Sequence, residues 1–313
     1  MRNLLRALRP VDVVIIVFAF ILSLIILLFA GPNREMTVLL AVNASASVAV
    51  MWLARSVVVN GNKILRPLYN WYPVPVVFLV FKEVYVMMQA MPRGDWDEVL
   101  IALDRAIFGV DPTVWLGQFS NPLLTELLQI AYVSYYFIMI AVGVEVLMSG
   151  DQKKFSYVLF AIMLGFFLSY FGYIAFPAVG PRFTLHNFGS LETELPGLVL
   201  TAPIRDFLNA GESIPKGAVN ALALAQRDAF PSGHTQMTLI SLYLASHYRL
   251  RSRYVLHVCG ILLIISTVYL RYHYVIDVVA GVLFAGLTLW ISPRLFAWWE
   301  GFRAGFNARI AER

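Results

Sequence analysis

Long apolar stretches separated by short polar ones dominate the chain. A helix needs about 20 mostly apolar residues to cross the hydrocarbon core of a bilayer. Eight stretches come near that length, at about 11–30, 36–54, 72–91, 121–148, 155–176, 234–248, 254–272 and 276–298. The pattern predicts an all-α fold, a polytopic membrane helical bundle of about eight transmembrane helices. The first stretch reads as a span and not as a cleavable signal, because its run over 13–30 is long and no small-x-small site follows it. Residues 92–120 are polar and aromatic (Asp95, Trp96, Asp97, Glu98) and predict a helix lying on the surface. The longest connection, 177–230, carries apolar patches at 195–204 and 218–225 and reads as a partly ordered cap on the membrane. The expected division is 1–71 as two accessory helices and a cytoplasmic loop, 72–300 as a six-helix catalytic core bearing the cap 177–230, and 301–313 as a cytoplasmic tail.

Composition narrows the class. Of 313 residues, 59% are hydrophobic and 14% charged, against about 25% charged in soluble domains. With a mean hydropathy of +0.72, an ordinary soluble enzyme, a disordered chain and a fibrous repeat are excluded. The net charge of +5 is a topology signal and not a nucleic-acid signal. Basic residues gather on one set of flanks: Arg2, Arg6 and Arg9; Arg55, Lys63 and Arg66; Lys153 and Lys154; Arg249, Arg251 and Arg253; Arg294, Arg303, Arg309 and Arg313. By the positive-inside rule those flanks are cytoplasmic, both termini with them. Acidic residues such as Asp95, Asp97, Glu98, Glu192, Glu194 and Glu212 lie opposite. The single cysteine, Cys259, excludes an internal disulfide.

Three polar segments share the outer face. The first is Pro177-Ala-Val-Gly-Pro-Arg182, the second Phe230-Pro-Ser-Gly-His-Thr235, and the third runs from Ser266 through Arg271 and His273 to Asp277. In the second, Pro231 and Gly233 break the chain and a helix starts at once, so its free N–H groups offer an anion site beside His234. Ser232 is at least an N-cap there, a common role for serine. In the third, His273 and Asp277 are four apart, so on a helix they share a face and can bond. A carboxylate that fixes one imidazole nitrogen leaves the other as a directed base or nucleophile. The set suits a phosphohistidine: His273 attacks phosphorus, Asp277 orients it, and His234 protonates the leaving oxygen. Arg182, Arg271, Ser232 and Gly233 would hold the phosphoryl group. A metal held by two His and a carboxylate is the competing reading; the arginines disfavour it, and neither metal nor cofactor is expected.

These segments resemble the signature of the type 2 phosphatidic acid phosphatase superfamily, the lipid phosphate phosphatases. Its pattern is Lys-x6-Arg-Pro, Pro-Ser-Gly-His and Ser-Arg-x5-His-x3-Asp. The second motif matches at Pro231 to His234, and the third at Ser266, His273 and Asp277 with spacing intact. The likeness covers roughly 72–298. Two positions depart: Ala175 stands for the lysine, with Gly-Pro-Arg182 in place of Arg-Pro, and Thr267 stands for the arginine after Ser266. Arg271 lies four residues further and on a helix would reach the same place. The run Tyr269-Leu-Arg-Tyr-His-Tyr-Val-Ile-Asp-Val is similar to the branch containing inositol phosphorylceramide synthases. That resemblance implies an integral membrane enzyme with His273 as nucleophile, His234 as acid and Asp277 as partner. It would act on a lipid phosphate at the extracytoplasmic face and pass the head group to a lipid hydroxyl acceptor.

The alternative is hydrolysis of a lipid monophosphate or polyprenyl diphosphate; a transporter or a non-catalytic lipid-binding protein is a weaker rival. No N-x-[ST] sequon falls on an outer loop, since Asn43-Ala-Ser45 lies in a span, which is compatible with a bacterial inner (plasma) membrane. Lys82 and Glu83 sit mid-span, where charge is costly. Lys82 either substitutes for the missing motif lysine or pairs internally with Glu126 or Glu145. Tyr132, Tyr135, Tyr136 and Phe137 read as packing or belt residues, and His186, His247 and His257 lack partners by spacing.

Overall fold

The computed structural model describes residues 6–91, 94–218 and 220–311, so the ends of the expected first and last segments lie outside it. Among the described residues there is no strand, and eleven helices exceed ten residues. They are α1 (Pro10–Phe29), α2 (Arg34–Ala54), α3 (Pro73–Gln89), α4 (Asp97–Phe108), α5 (Pro122–Val133), α6 (Tyr135–Met148), α7 (Gln152–Ala175), α8 (Thr201–Gly211), α9 (Gly233–His247), α10 (Arg253–Tyr269) and α11 (Val275–Ala311). The fold is all-α and the protein an integral membrane protein. Each of the eight apolar stretches is helical. Four helices are long and apolar enough to cross a membrane: α1, α2 with its π-helical extension to Val59, α7 and α11. A fifth span is formed if α5 and α6, bent by 43° around Ser134, are one crossing. At 1.5 Å per residue, α3, α9 and α10 (17, 15 and 17 residues) fall somewhat short of the ~30 Å hydrocarbon core.

The chain divides into two compact units. One comprises 1–92, 149–167 and 287–313, and the other 93–148 and 168–286. In the first, Asp12 is fully buried and accepts from the Arg9 amide at 2.6 Å, the Arg9 guanidinium at 3.1 Å and the Tyr72 hydroxyl at 2.7 Å. The Tyr69 hydroxyl also donates to it, and the Arg9 guanidinium lies 3.5 Å over the Tyr69 ring. This charge is compensated on every side, as a buried carboxylate requires. Mid-span, the Asn43 amide donates to Glu83 Oε1 at 2.6 Å, which ties α2 to α3.

The second unit holds every candidate site residue. Its α4 is inside out for a soluble helix. It buries Asp97, Leu100 and Asp104 while Val99, Leu103, Ile107 and Phe108 are exposed. Seven residues apart, the two aspartates occupy one face, and each caps another segment. Asp97 accepts the amides of Val179 and Gly180 at 3.0 and 2.9 Å and the Tyr274 hydroxyl at 2.8 Å. Asp104 accepts the amides of Val275 and Ile276 at 2.9 and 2.8 Å, capping α11. Burial pushes both carboxyls above the usual aspartate range.

Glu126 works the same way. Set against Lys82 in the sequence reading, it instead takes the amides of Leu198, Val199, Leu200 and Thr201, together with the Thr201 hydroxyl. That caps α8. Glu145 accepts from the Arg251 and Ser252 amides and the Ser252 hydroxyl. Leu208 of α8 shares a buried cluster with Leu128, Tyr132, Leu195, Tyr269, Leu270 and Tyr272, which anchors α8 within the segment 177–230, called the cap below.

Removing one such acceptor leaves buried amides unsatisfied. Asp104→Ala is expected to cost on the order of 2 kcal/mol and to lower the thermal unfolding midpoint in detergent. Glu98→Ala, on the exposed side of the same helix, is expected to change it little.

Candidate active site

The turn Pro231-Ser232-Gly233 is wedged between two helices at points where only glycine fits. A Cβ on Gly172 of α7 would lie 2.2 Å from the Pro231 ring, and one on Gly281 of α11 would lie 2.6 Å from the Ser232 carbonyl oxygen. A Cβ on Gly233 itself would meet the Tyr173 hydroxyl at 2.3 Å. Ser232 is fully buried; its amide donates to the Asp277 carbonyl at 2.9 Å and its Oγ accepts the Thr235 amide at 3.2 Å. Ser232 is therefore the N-cap of α9, and His234 is held one residue inside it.

His273 lies in the turn between α10 and α11. Its amide donates to the Thr267 carbonyl at 3.0 Å, so the residue standing where the family motif has arginine supports the turn through its main chain. His273 Nδ1 is 2.8 Å from the Ala229 carbonyl oxygen and 3.4 Å from Asp277 Oδ2. A carbonyl can only accept, so Nδ1 carries the proton and the Nε2 lone pair is left free. Nε2 faces His234 Nδ1 at 3.3 Å. Asp277 Oδ2 also accepts the Tyr274 amide at 2.9 Å, while its buried Oδ1 has no hydrogen-bond partner among the described residues. The histidine–aspartate contact is made across the start of α11, since that helix begins at Val275.

The expected residues do not all converge. Ser232, Gly233, His234, His273 and Asp277 form one cluster. Arg182 is buried next to it; its amide donates to the Arg271 carbonyl at 3.0 Å and its guanidinium lies 4.7 Å over the Tyr272 ring. Its charge is felt at both histidines. Arg271 differs from the helical expectation. The helix α10 ends at Tyr269 and Arg271 follows it with a left-handed φ of 67°. Its side chain turns into the cap, where it pairs with Glu194 and its Nη2 lies 3.6 Å from the place a Gly117 Cβ would occupy. Arg182 likewise pairs with a cap carboxylate, Glu212. Of the histidines left aside, His186 bonds to the Thr113 hydroxyl at 3.0 Å and His257 to the Arg253 carbonyl at 2.7 Å.

Spacing gave no hint of several residues that shape the site. The Ala229 carbonyl is the closest acceptor to His273 Nδ1. Tyr132 and Tyr135, read as packing residues, flank the His234 ring at 4.6 and 4.4 Å between centroids. Asp228 is linked electrostatically to the site: burial and the Glu212 charge raise its pKa, and the Arg182 charge opposes the rise. An acid four residues ahead of the Ser232 cap, followed by the apolar run Ala229-Phe230-Pro231, was the available sign. Burial lowers the His273 pKa to about 4, so the ring is neutral at physiological pH.

A family model described as PAP2 superfamily matches residues 98–291, a stretch that contains all of these site residues. A PA-phosphatase related-family protein of Dictyostelium discoideum is 26% identical over 296 residues, covering 85% of this chain and 49% of that protein. The chain thus spans about half the length of that relative. No solved structure matches.

Two outcomes test the packing and the buried imidazole. Gly281→Ala is expected to destabilise by about 1–3 kcal/mol through overpacking, whereas Gly286→Ala in the same helix, with nothing within 4 Å of its Cβ, is expected to be neutral or stabilising. For His273, protons bind the unfolded chain near pH 6.5 but the folded one only near 4. Stability is therefore expected to fall as pH drops from 6.5 towards 4 and to flatten below. His273→Gln should show a shallower fall in unfolding midpoint across that window.

Proposed function

This chain belongs to the PAP2 superfamily, and on that premise we propose that it cleaves a lipid phosphate ester through a phosphohistidine on His273 and passes the phosphoryl-bearing head group to a lipid hydroxyl. The observation that carries the reading is the placement of His273, with Nδ1 bonded to the Ala229 carbonyl and 3.4 Å from Asp277 Oδ2, and Nε2 directed at His234. In the first step the Nε2 lone pair attacks phosphorus. The bond from phosphorus to the leaving lipid oxygen breaks, and His234, protonated, gives that oxygen its proton. In the second, a hydroxyl attacks phosphorus, His234 takes its proton, and the phosphorus–nitrogen bond breaks to restore His273. Arg182 and the amides at the start of α9 stabilise the charge on the phosphoryl oxygens. Asp277 is the positioning carboxylate. Asp228, linked electrostatically to Arg182, would orient the attacking hydroxyl.

The transfer reading rests on the rearranged third motif, similar to the inositol phosphorylceramide synthase branch. Hydrolysis is the second reading, favoured by the PA-phosphatase name of the Dictyostelium relative; water then replaces the lipid hydroxyl in the second step. The asymmetry of basic flanks supports a reaction on the extracytoplasmic side with both termini in the cytoplasm.

The test uses purified protein in lipid micelles with radiolabelled lipid phosphates, following free phosphate, new phospholipid and label on the protein. His273→Ala is expected to lose both label and turnover; activity above about a hundredth of wild type would remove it as nucleophile. Asp228→Asn is expected to take up label but release it more slowly. A new head-group-bearing lipid without free phosphate supports transfer, and free phosphate supports hydrolysis.

A further inference from the structure

Beside the histidines, the cap encloses a cavity of about 270 Å³ in the second unit. Its charged lining is three cations, Arg182, Arg205 and Lys216, against two carboxylates, Glu192 and Asp206. Two of the cations are already matched. Arg182 pairs with Glu212, and Lys216 Nζ lies 2.8 Å from Asp206 Oδ2. Arg205 is different. It is 8% exposed, and its guanidinium donates only to main-chain carbonyls, those of Leu191 at 3.3 Å and Leu195 at 2.9 Å. Among the described residues no carboxylate forms an ion pair with it. Glu192, exposed on the rim, attracts it only from beyond pairing distance. A buried charge is ordinarily paired, because desolvation penalises it otherwise. Burial in fact lowers the Arg205 pKa, the mark of a cation without full compensation.

The structure holds Arg205 there firmly. It sits on the buried face of α8 with Thr201 and Leu208, a helix fixed by the Glu126 cap and the Leu208 cluster. The opposite wall is Arg182 and Tyr272, and Tyr272 stacks at 4.3 Å on Tyr132, which in turn stacks on His234. The cavity is thus linked to His234 through Tyr272 and Tyr132, and neither histidine is among its lining residues. From this geometry we infer that the cap cavity is a second oxyanion site, centred on Arg205, which takes a phosphate-type group other than the one transferred at His273. A planar guanidinium with free N–H groups is matched to such an oxyanion, and Lys216 and Arg182 add charge at its sides. The identity of the transferred group rests on the preceding functional reading; the oxyanion site does not need turnover.

Two sources share this chemistry: free inorganic phosphate, and a phosphate carried on a lipid head group. The experiment uses the full chain with His273→Ala in detergent micelles, so that no ligand is consumed, and calorimetric titration with two probes. One is inorganic phosphate; the other is a dioctanoyl phospholipid bearing a second phosphate on its head group, compared with the same lipid lacking it. Adding Arg205→Gln is expected to weaken binding at least about tenfold. If inorganic phosphate shows that loss, the free ion is the occupant. If only the doubly phosphorylated lipid shows it, the head group is. Binding of both probes that is indifferent to Arg205→Gln, in protein whose unfolding midpoint is unchanged, overturns the inference. Should Arg205→Gln fail to fold, Arg205→Lys and Lys216→Gln carry the test, the latter at a side chain 81% exposed. Unaltered binding in both also overturns it. Activity surviving in the His273→Ala protein would instead count against the transfer chemistry and leave the oxyanion site to be judged on binding alone.

Discussion

The second unit depends on one kind of bond: a buried carboxylate that accepts main-chain amides from a distant segment. Asp97 holds 179–180, Asp104 holds the start of α11, and Glu126 holds the start of α8. Each bond is charge-assisted and answers to a helix or loop end whose N–H groups have no partner of their own. The positive end of the helix dipole favours the same anion. Two of the three polar motif segments, and the start of α8, are thereby fixed without any disulfide, and the only cysteine takes no part.

That fixing determines the chemistry that the histidines can perform. With Gly180 and Ala229 held in place, the Ala229 carbonyl meets His273 Nδ1 and decides the tautomer. Gly172, Gly233 and Gly281 allow the Pro-Ser-Gly turn to sit within the packing distance of three helices, which brings His234 Nδ1 to 3.3 Å from His273 Nε2. Both conserve space, one by hydrogen bonding and the other by omission of side chains. Around this pair the arginines are already engaged by Glu212 and Glu194.

Much of this was legible along the chain. Each of the eight apolar stretches is helical, 121–148 as two helices, and the spacing of Pro231 to His234 and of His273 to Asp277 marks segments that the fold brings together. The arginines were harder. Placing Arg271 on a helix one turn past Thr267 assumed that α10 continues, but the helix stops at Tyr269 and the left-handed turn sends the side chain into the cap. The acidic residues misled for another reason. Glu126 and Glu145 looked like ion-pair partners for Lys82, whereas both serve as caps for main chain more than 70 positions away.

Hydropathy and motif order by themselves determined an all-α membrane protein, the place of its helices and which histidines stand together, because lipid solvation and the N-cap act on neighbouring residues. Only the tertiary structure decided that Ala229 fixes the His273 tautomer, that Asp97 and Asp104 face inward from an otherwise lipid-suited helix, and that Arg205 is left as a buried charge in the cap. Those outcomes depend on what a side chain meets across the fold, where burial sets the cost of every unpaired polar group and periodicity carries no record of the partner.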